Sequence, residues 1–257
     1  MNKNSFIPKT VVLKAMALLT TGLLLTSTIW AAPKKVVAST SWAAAFADIA
    51  GAEEVESIAP VNLRHPPEYE ITVSDVQKIS ESEVFIYAGF ERMMKTLGNK
   101  IENKGTSVQI TLDNSLATVK ESTLKIAQAL GTEDIQKKRY AEYEKLVKDG
   151  QKKVLKKKLN KKKVLCNKNQ TYLAKELGLE VVGIFGPGAV TAEELLEAKK
   201  AGYDIIIDNI HNPTGKPVTE ILPKAKYIEW RNFPTAVEHD ALKKVVADNI
   251  ELLLKEF

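Results

Sequence analysis

The feature that most constrains this chain is a helical stretch that runs unbroken from Thr132 to about Leu159, between two series of short β-rich runs alternating with helices. Those 28 residues make a rod on the order of 40 Å long at about 1.5 Å per residue, more than one lobe needs. Its apolar positions Ile135, Tyr143, Leu146, Val147 and Val154 form one narrow stripe. That pattern suits a connector lying across two lobes, and a coiled-coil arm for a partner is the rival reading. Thr132 is expected to cap the rod, with Glu133 and Asp134 in its first turn.

Before the rod, β-rich runs at 36–40, 55–59, 84–88 and 108–112 alternate with helical patterns at 42–50, from Thr72 or Ser74 to Ser80, and at 92–103, and a helical stretch follows from Ser115 to Gly131. After it come runs at 163–166, 179–185, 204–208 and 225–230, with helices ending at Leu177, starting after Thr191, near Val218, and from about Thr235. Strands alternating with helices at this spacing give parallel sheets wound by right-handed crossovers. The expected fold class is therefore α/β, with two similar parallel-sheet lobes joined by one long backbone helix and a ligand cleft between the lobes. The expected boundaries are a signal peptide over 1–32, an N-terminal lobe over 33–131, the helix over 132–160 and a C-terminal lobe over 161–257.

The first 32 residues carry the marks of export. Lys3, Lys9 and Lys14 precede an uncharged apolar run from Ala15 to Trp30, followed by Ala31-Ala32-Pro33. The run is shorter than the roughly 20 residues of a membrane-spanning helix, which favours removal over anchoring. Cleavage after Ala31 and after Ala32 both fit. Cys166 is the only cysteine, so no internal disulfide and no N-terminal lipid anchor is expected, and the periplasm is the simplest address. Without the signal the chain has 34 basic and 32 acidic residues, and eight of the lysines lie between Lys152 and Lys163. That run has no interleaved aromatics, so it reads as a solvated helix end with a docking patch as the minority view, and a nucleic-acid partner is not expected.

In open parallel sheets, ligands bind beyond the carboxyl ends of the strands. Two of the chain's three histidines fall there, one in each half: His65 after the second strand and His211 after the strand ending at Asp208. Neutral imidazole is a ligand for zinc and its neighbours, and an inter-lobe site takes donors from both sides. Glu68, Cys166 and Asp208 are the candidates to complete it. A lone loop histidine is more often solvated than ligating, and Cys166 would ordinarily be a small buried hydrophobe. His239, beside Glu238 and Asp240, suits a solvated, carboxylate-paired role, and Glu91 a solvated or capping one.

At these positions the chain resembles a family. Glu68-Tyr69-Glu70, then Ser74-Asp75-Val76-Gln77-Lys78-Ile79 and Ile86-Tyr87-Ala88-Gly89-Phe90-Glu91, are similar to the N-lobe of the cluster A-I zinc and manganese receptors. In the second half, Tyr172-Leu173-Ala174 and the run from Gly178 to Pro187 resemble the same family. The likeness implies a periplasmic solute-binding protein, not an enzyme, that acts as a monomer and passes a metal ion to the permease of an ABC transporter. The transported ion would be Zn2+, with Mn2+ or Fe2+ next.

The departures fall on the family's ligands. Pro67 stands where the family has the histidine before Glu-Tyr-Glu, with His65 two residues earlier; Leu112-Asp113-Asn114 replaces its second histidine; Asn167 stands for the third; and His211-Asn212 lies where its carboxylate would fall. Loss of ligands keeps a second reading open, a receptor for a metal chelate such as haem or a siderophore, gripped by Arg64, Trp42, Trp230 or Arg231. A remote third, a hydrolase using Cys166, His211 and Asp208, lacks any nucleophile-elbow pattern around the cysteine.

Overall fold

The computed structural model describes residues 34–98 and 104–257. The expected signal peptide at 1–32 lies outside the described residues, as does the end of the helix expected over 92–103. Four strands build a first sheet: β1 (Val36–Ala38), β2 (Val55–Ser57), β3 (Val84–Tyr87) and β4 (Thr106–Gln109). Around them run α1 (Ser41–Ala50), α2 (Val73–Glu81), α3 (Arg92–Leu97) and α4 (Leu116–Leu130). The long helix α5 (Glu133–Lys156) leads into a second sheet of β5 (Lys163–Asn167), β6 (Glu180–Phe185), β7 (Ile205–Asn209) and β8 (Lys226–Trp230). Helices α6 (Thr171–Glu176), α7 (Ala192–Ala201), α8 (Val218–Ile221) and α9 (Ala241–Lys255) complete it.

The sheets have the orders β2-β1-β3-β4 and β6-β5-β7-β8, and every pairing is parallel. The two halves thus repeat one winding, and the α/β architecture is the expected one. In each sheet the chain reverses its direction of winding after the second strand, so β1 and β3, and β5 and β7, flank a crevice at their carboxyl ends.

Local chemistry sets the helix ends. Thr72 caps α2 by accepting from the Asp75 amide while Asp75 accepts in return from the Thr72 amide, a reciprocal box that Thr191 and Glu194 repeat on α7. Ser115 caps α4, and Gly131 ends it in the left-handed region. Thr132 departs from expectation. Its hydroxyl makes no cap bond and donates instead to the Ala50 carbonyl at 2.6 Å, tying the start of α5 to the end of α1.

Helix α5 has 24 residues, about 36 Å at 1.5 Å per residue. It stops short of Leu159 because Lys158 turns left-handed (φ 57°) and a short 3-10 turn over Leu159–Lys161 tucks Leu159 into the core before β5. Its buried face is Gln136, Tyr140, Tyr143, Val147, Gly150 and Val154, alternating by four and three. Ile135, expected on that stripe, is 42% exposed. The helix packs on α1 and α4 on one side and on α6 and α9 on the other. Gly150 marks the closest approach, since a Cβ there would stand 2.6 Å from Ile250 Cδ1 of α9.

One continuous apolar core runs from Val36, Phe46 and Ile86 through Ile126, Tyr143 and Val154 to Val164, Ile207, Trp230 and Leu253. Smaller clusters around Phe85 and Met93, and around Phe185 and Ile206, cover the outer face of each sheet. Trp230 is fully buried in the shared core, so it is not a cleft residue as the chelate reading supposed.

Candidate metal centre

A cavity of about 380 Å³ is lined by residues that follow the carboxyl ends of all eight strands. The first sheet supplies Thr40 and Trp42 after β1, His65 to Glu68 after β2, Phe90 after β3 and Leu112 after β4. The second supplies Asn169 and Tyr172 after β5, Pro187 after β6, Asn209 at the end of β7 with His211 and Asn212 after it, and Asn232 with Phe233 after β8. Duplicated winding therefore puts both crevices on one space.

The segment after β8 closes that space. The terminal helix begins at Ala241 and not near Thr235, because residues 231–240 run as a strap back to the first half. Ser41 donates to the Pro234 carbonyl at 2.6 Å, and Asn114 Nδ2 to the Asn232 carbonyl at 3.0 Å. Asp48 accepts from the Asp240 amide at 2.9 Å and lies 2.7 Å from His239 Nδ1.

His211 is 7% exposed and stacks on Phe233, with ring centroids 3.7 Å apart and planes 14° apart. Asn209 Oδ1 accepts from its amide at 3.1 Å, and Arg64 Nε of the first half donates to its carbonyl at 2.8 Å. Burial pushes the imidazole down to a pKa of about 4; Arg231, His65 and Arg64 act in the same direction, against one backbone hydrogen bond to Phe233. The ring is thus neutral at physiological pH, the form that binds a metal. Its Nε2 is buried and has no hydrogen-bond partner.

His65 and Glu68 lie on the opposite wall, at the two ends of a 3-10 turn (Pro66–Glu68) that Pro66 and Pro67 stiffen. Both side chains are exposed. The structure therefore brings three of the five expected site residues, His65, Glu68 and His211, to one cavity.

Cys166 and Asp208 are elsewhere. Cys166 is fully buried within β5 and not among the cavity residues. Burial, with Asp208 nearby, pushes its thiol well above the usual range, which suits neither a thiolate ligand nor a nucleophile. Asp208 is fully buried too, and its oxygens are taken: Oδ1 accepts from Asn167 Nδ2 (3.1 Å) and the Asn209 amide (2.7 Å), Oδ2 from the Gly215 amide (2.7 Å) and the Tyr227 hydroxyl (2.9 Å). Asp208 ties down the loop that carries His211.

Glu91 has the matching task in the first half and was missed as such. It is fully buried and accepts from the Ser39 hydroxyl (2.5 Å) and the amides of Ala88 (2.8 Å) and Gly89 (2.6 Å). The residues standing at the family's second histidine are also structural. Asn114 accepts from Trp42 Nε1 at 3.2 Å and through its carbonyl from the Tyr143 hydroxyl at 2.9 Å, while Asp113 accepts from Ser115 and Thr118.

Asp48, His239 and Asp240 gather potential donor atoms within 4.8 Å of one another. Each carboxylate already faces a cation, Arg139 Nη1 at 3.0 Å from Asp48 and Lys243 Nζ at 2.8 Å from Asp240, so the group reads as an ion-paired anchor for the strap. His239 lies before α9, not in its first turn, and is solvated and carboxylate-paired.

No family model matches the chain, and no curated protein matches it. Solved structures do share its fold. The solute-binding protein FpvC of Pseudomonas aeruginosa in complex with Mn2+ superposes with a TM-score of 0.68 over 87% of this chain and 98% of its own, at 13% identity. The laminin-binding protein of Streptococcus agalactiae, described as bifunctional with adhesin and metal-transporting activity, gives 0.65 over 86% and 98%, at 20% identity. A manganese-bound variant of the periplasmic metal-binding protein of Candidatus Liberibacter asiaticus gives 0.64 over 87% and 99%, at 16% identity. The fold implied by the sequence resemblance is thus the fold found.

Proposed function

We propose that this chain is an exported solute-binding receptor that captures a transition-metal ion between its two sheets and passes it to an ABC importer. Zinc is the first candidate and manganese or iron(II) the next. His65 ligates from the first half, His211 from the second, and Glu68 adds an oxygen. Cys166 and Asp208 have no direct part. The observation that carries the reading is the pair of imidazoles on opposite walls of one cavity, of which His211 offers a buried, neutral, unpartnered Nε2. A shared fold with metal-binding solute receptors supports it. A site that keeps positions open for a further ligand is consistent with only three protein donors.

The test is elemental analysis and calorimetry of the mature protein with zinc, manganese and iron(II), repeated on His65→Ala and His211→Ala. Stoichiometric metal in the parent, weakened at least tenfold in both variants, is the expected result. A parent that holds none of these metals in any form refutes the reading.

A further inference from the structure

The cavity is roomier and poorer in protein donors than a bare ion requires. A volume of about 380 Å³ lies in the range of roughly 300–1,000 Å³ that encloses small organic molecules, whereas a metal and its donors are separated by only about 2 Å. Of the sixteen residues around it, only His65, Glu68 and His211 carry strong metal donors. Zinc needs about four ligands and manganese about six, so one to three must come from elsewhere.

The remaining lining suits an organic partner. Asn169, Asn209, Asn212 and Asn232 line it with amides, of which Asn209 Oδ1 already accepts from the His211 amide and Asn212 Nδ2 donates to the Pro187 carbonyl, and Trp42, Phe90 and Tyr172 line it with rings. Asn232 is 5% exposed, and its Oδ1 has no partner within the protein. Arg64 does not itself line the cavity, but its Nε donates to the His211 carbonyl at 2.8 Å and so sets a positive charge beside that residue, and among the described residues Glu68 is the only carboxylate lining the cavity. Positive charge beside the ligand position repels a free dication and attracts an anionic complex.

We propose that the cargo enters as a preformed complex of the metal with a small polycarboxylate, carrying net negative charge. His65 and His211 replace two waters on the complexed metal, which keeps its oxidation state and its organic ligand. Arg64 pairs with a free carboxylate of the complex, and the amides and rings hold the rest. This rests on the metal-receptor reading above and adds the form of the cargo.

The test uses metal-stripped mature protein with zinc and manganese, each offered free or as its citrate or nitrilotriacetate complex, and measures both affinity and retention of labelled chelator after filtration. At least one chelator should be retained one-to-one with metal and protein, only when metal is present, with affinity at least tenfold above that for the free ion. Arg64→Gln should weaken the complex about tenfold at low salt and much less at 0.5 M salt, where charge pairing is screened. Free metal that binds as tightly while both chelators pass into the filtrate overturns this proposal and leaves the metal receptor standing. No binding of metal in either form overturns both.

Discussion

Replacing Asp208 with asparagine separates a loop-holding role from a metal-binding one. In the parent, each carboxylate oxygen accepts two hydrogen bonds. Asparagine turns one end into a donor. If the amide nitrogen takes the Oδ1 place it confronts the Asn209 amide and the Asn167 side chain; Asn167 cannot turn freely, because its Oδ1 accepts from the Asn169 amide. In the Oδ2 place it confronts the Gly215 amide, while Tyr227 can rotate its hydroxyl toward Glu229, 3.3 Å away. The second orientation costs less, yet it leaves one buried N–H unpaired, worth about 1–3 kcal/mol, and weakens the remaining bonds by removing their charge assistance, about 1 kcal/mol more each. The expected loss is roughly 3–5 kcal/mol for the metal-free protein, or a fall in Tm of roughly 6–20 °C at this chain length. Urea and thermal unfolding of metal-free Asp208→Asn, beside metal titration, measure both sides. A variant whose metal-free stability stays within about 0.5 kcal/mol of the parent while metal binding vanishes would make Asp208 a ligand and refute the reasoning.

Glu91→Gln removes the corresponding acceptor in the first half and should cost about 2–4 kcal/mol, read as a lower urea midpoint; an unchanged midpoint would contradict its role in holding the 88–91 loop. The metal-free protein should also lose stability in acid through His211. Its folded pKa, near 4, lies below the unfolded value of about 6.5, so its contribution is complete above about pH 6.5, declines as pH falls toward 4 and is constant below, at most about 3 kcal/mol in all. Urea midpoints of parent and His211→Gln from pH 7.5 to 4.5 isolate that contribution, and parallel curves would rule it out. Thr72→Ala breaks the cap of α2, where Asp75 answers the Thr72 amide, and should cost about 1 kcal/mol with metal binding within twofold of the parent.

Much of this structure is legible in the amino-acid sequence. Alternating runs, with a cap at Thr72 or Ser74 and another at Thr191, placed strands and helices, and the rule that clefts form beyond strand ends pointed to His65, Glu68 and His211. What escaped was set by tertiary contact. The strap over residues 231–240 has helical promise from Thr235 onward, but its bonds to Ser41, Asp48 and Asn114 hold it out of helix. Cys166 and Asp208 end their strands as ligands would, yet β5 from Val164 and all of β7 are buried, and alternation carries no signal where neither face meets water. Glu91 looked like a surface acid because nothing near it in the chain reveals that Ser39 lies against it.

The unbroken core beneath α1, α5 and α9 bears on how such a receptor could report its own state. Halves that share one apolar interior have little freedom to swing apart, so the filled and empty molecules should have almost the same outline. If the proposed function holds, a membrane partner that must tell one from the other would have to read the rim of the cavity, to which the 3-10 turn after β2 and the strap before α9 both contribute. Changes of one or two residues there could alter which molecules are accepted for transport while leaving the grip on the cargo as it was.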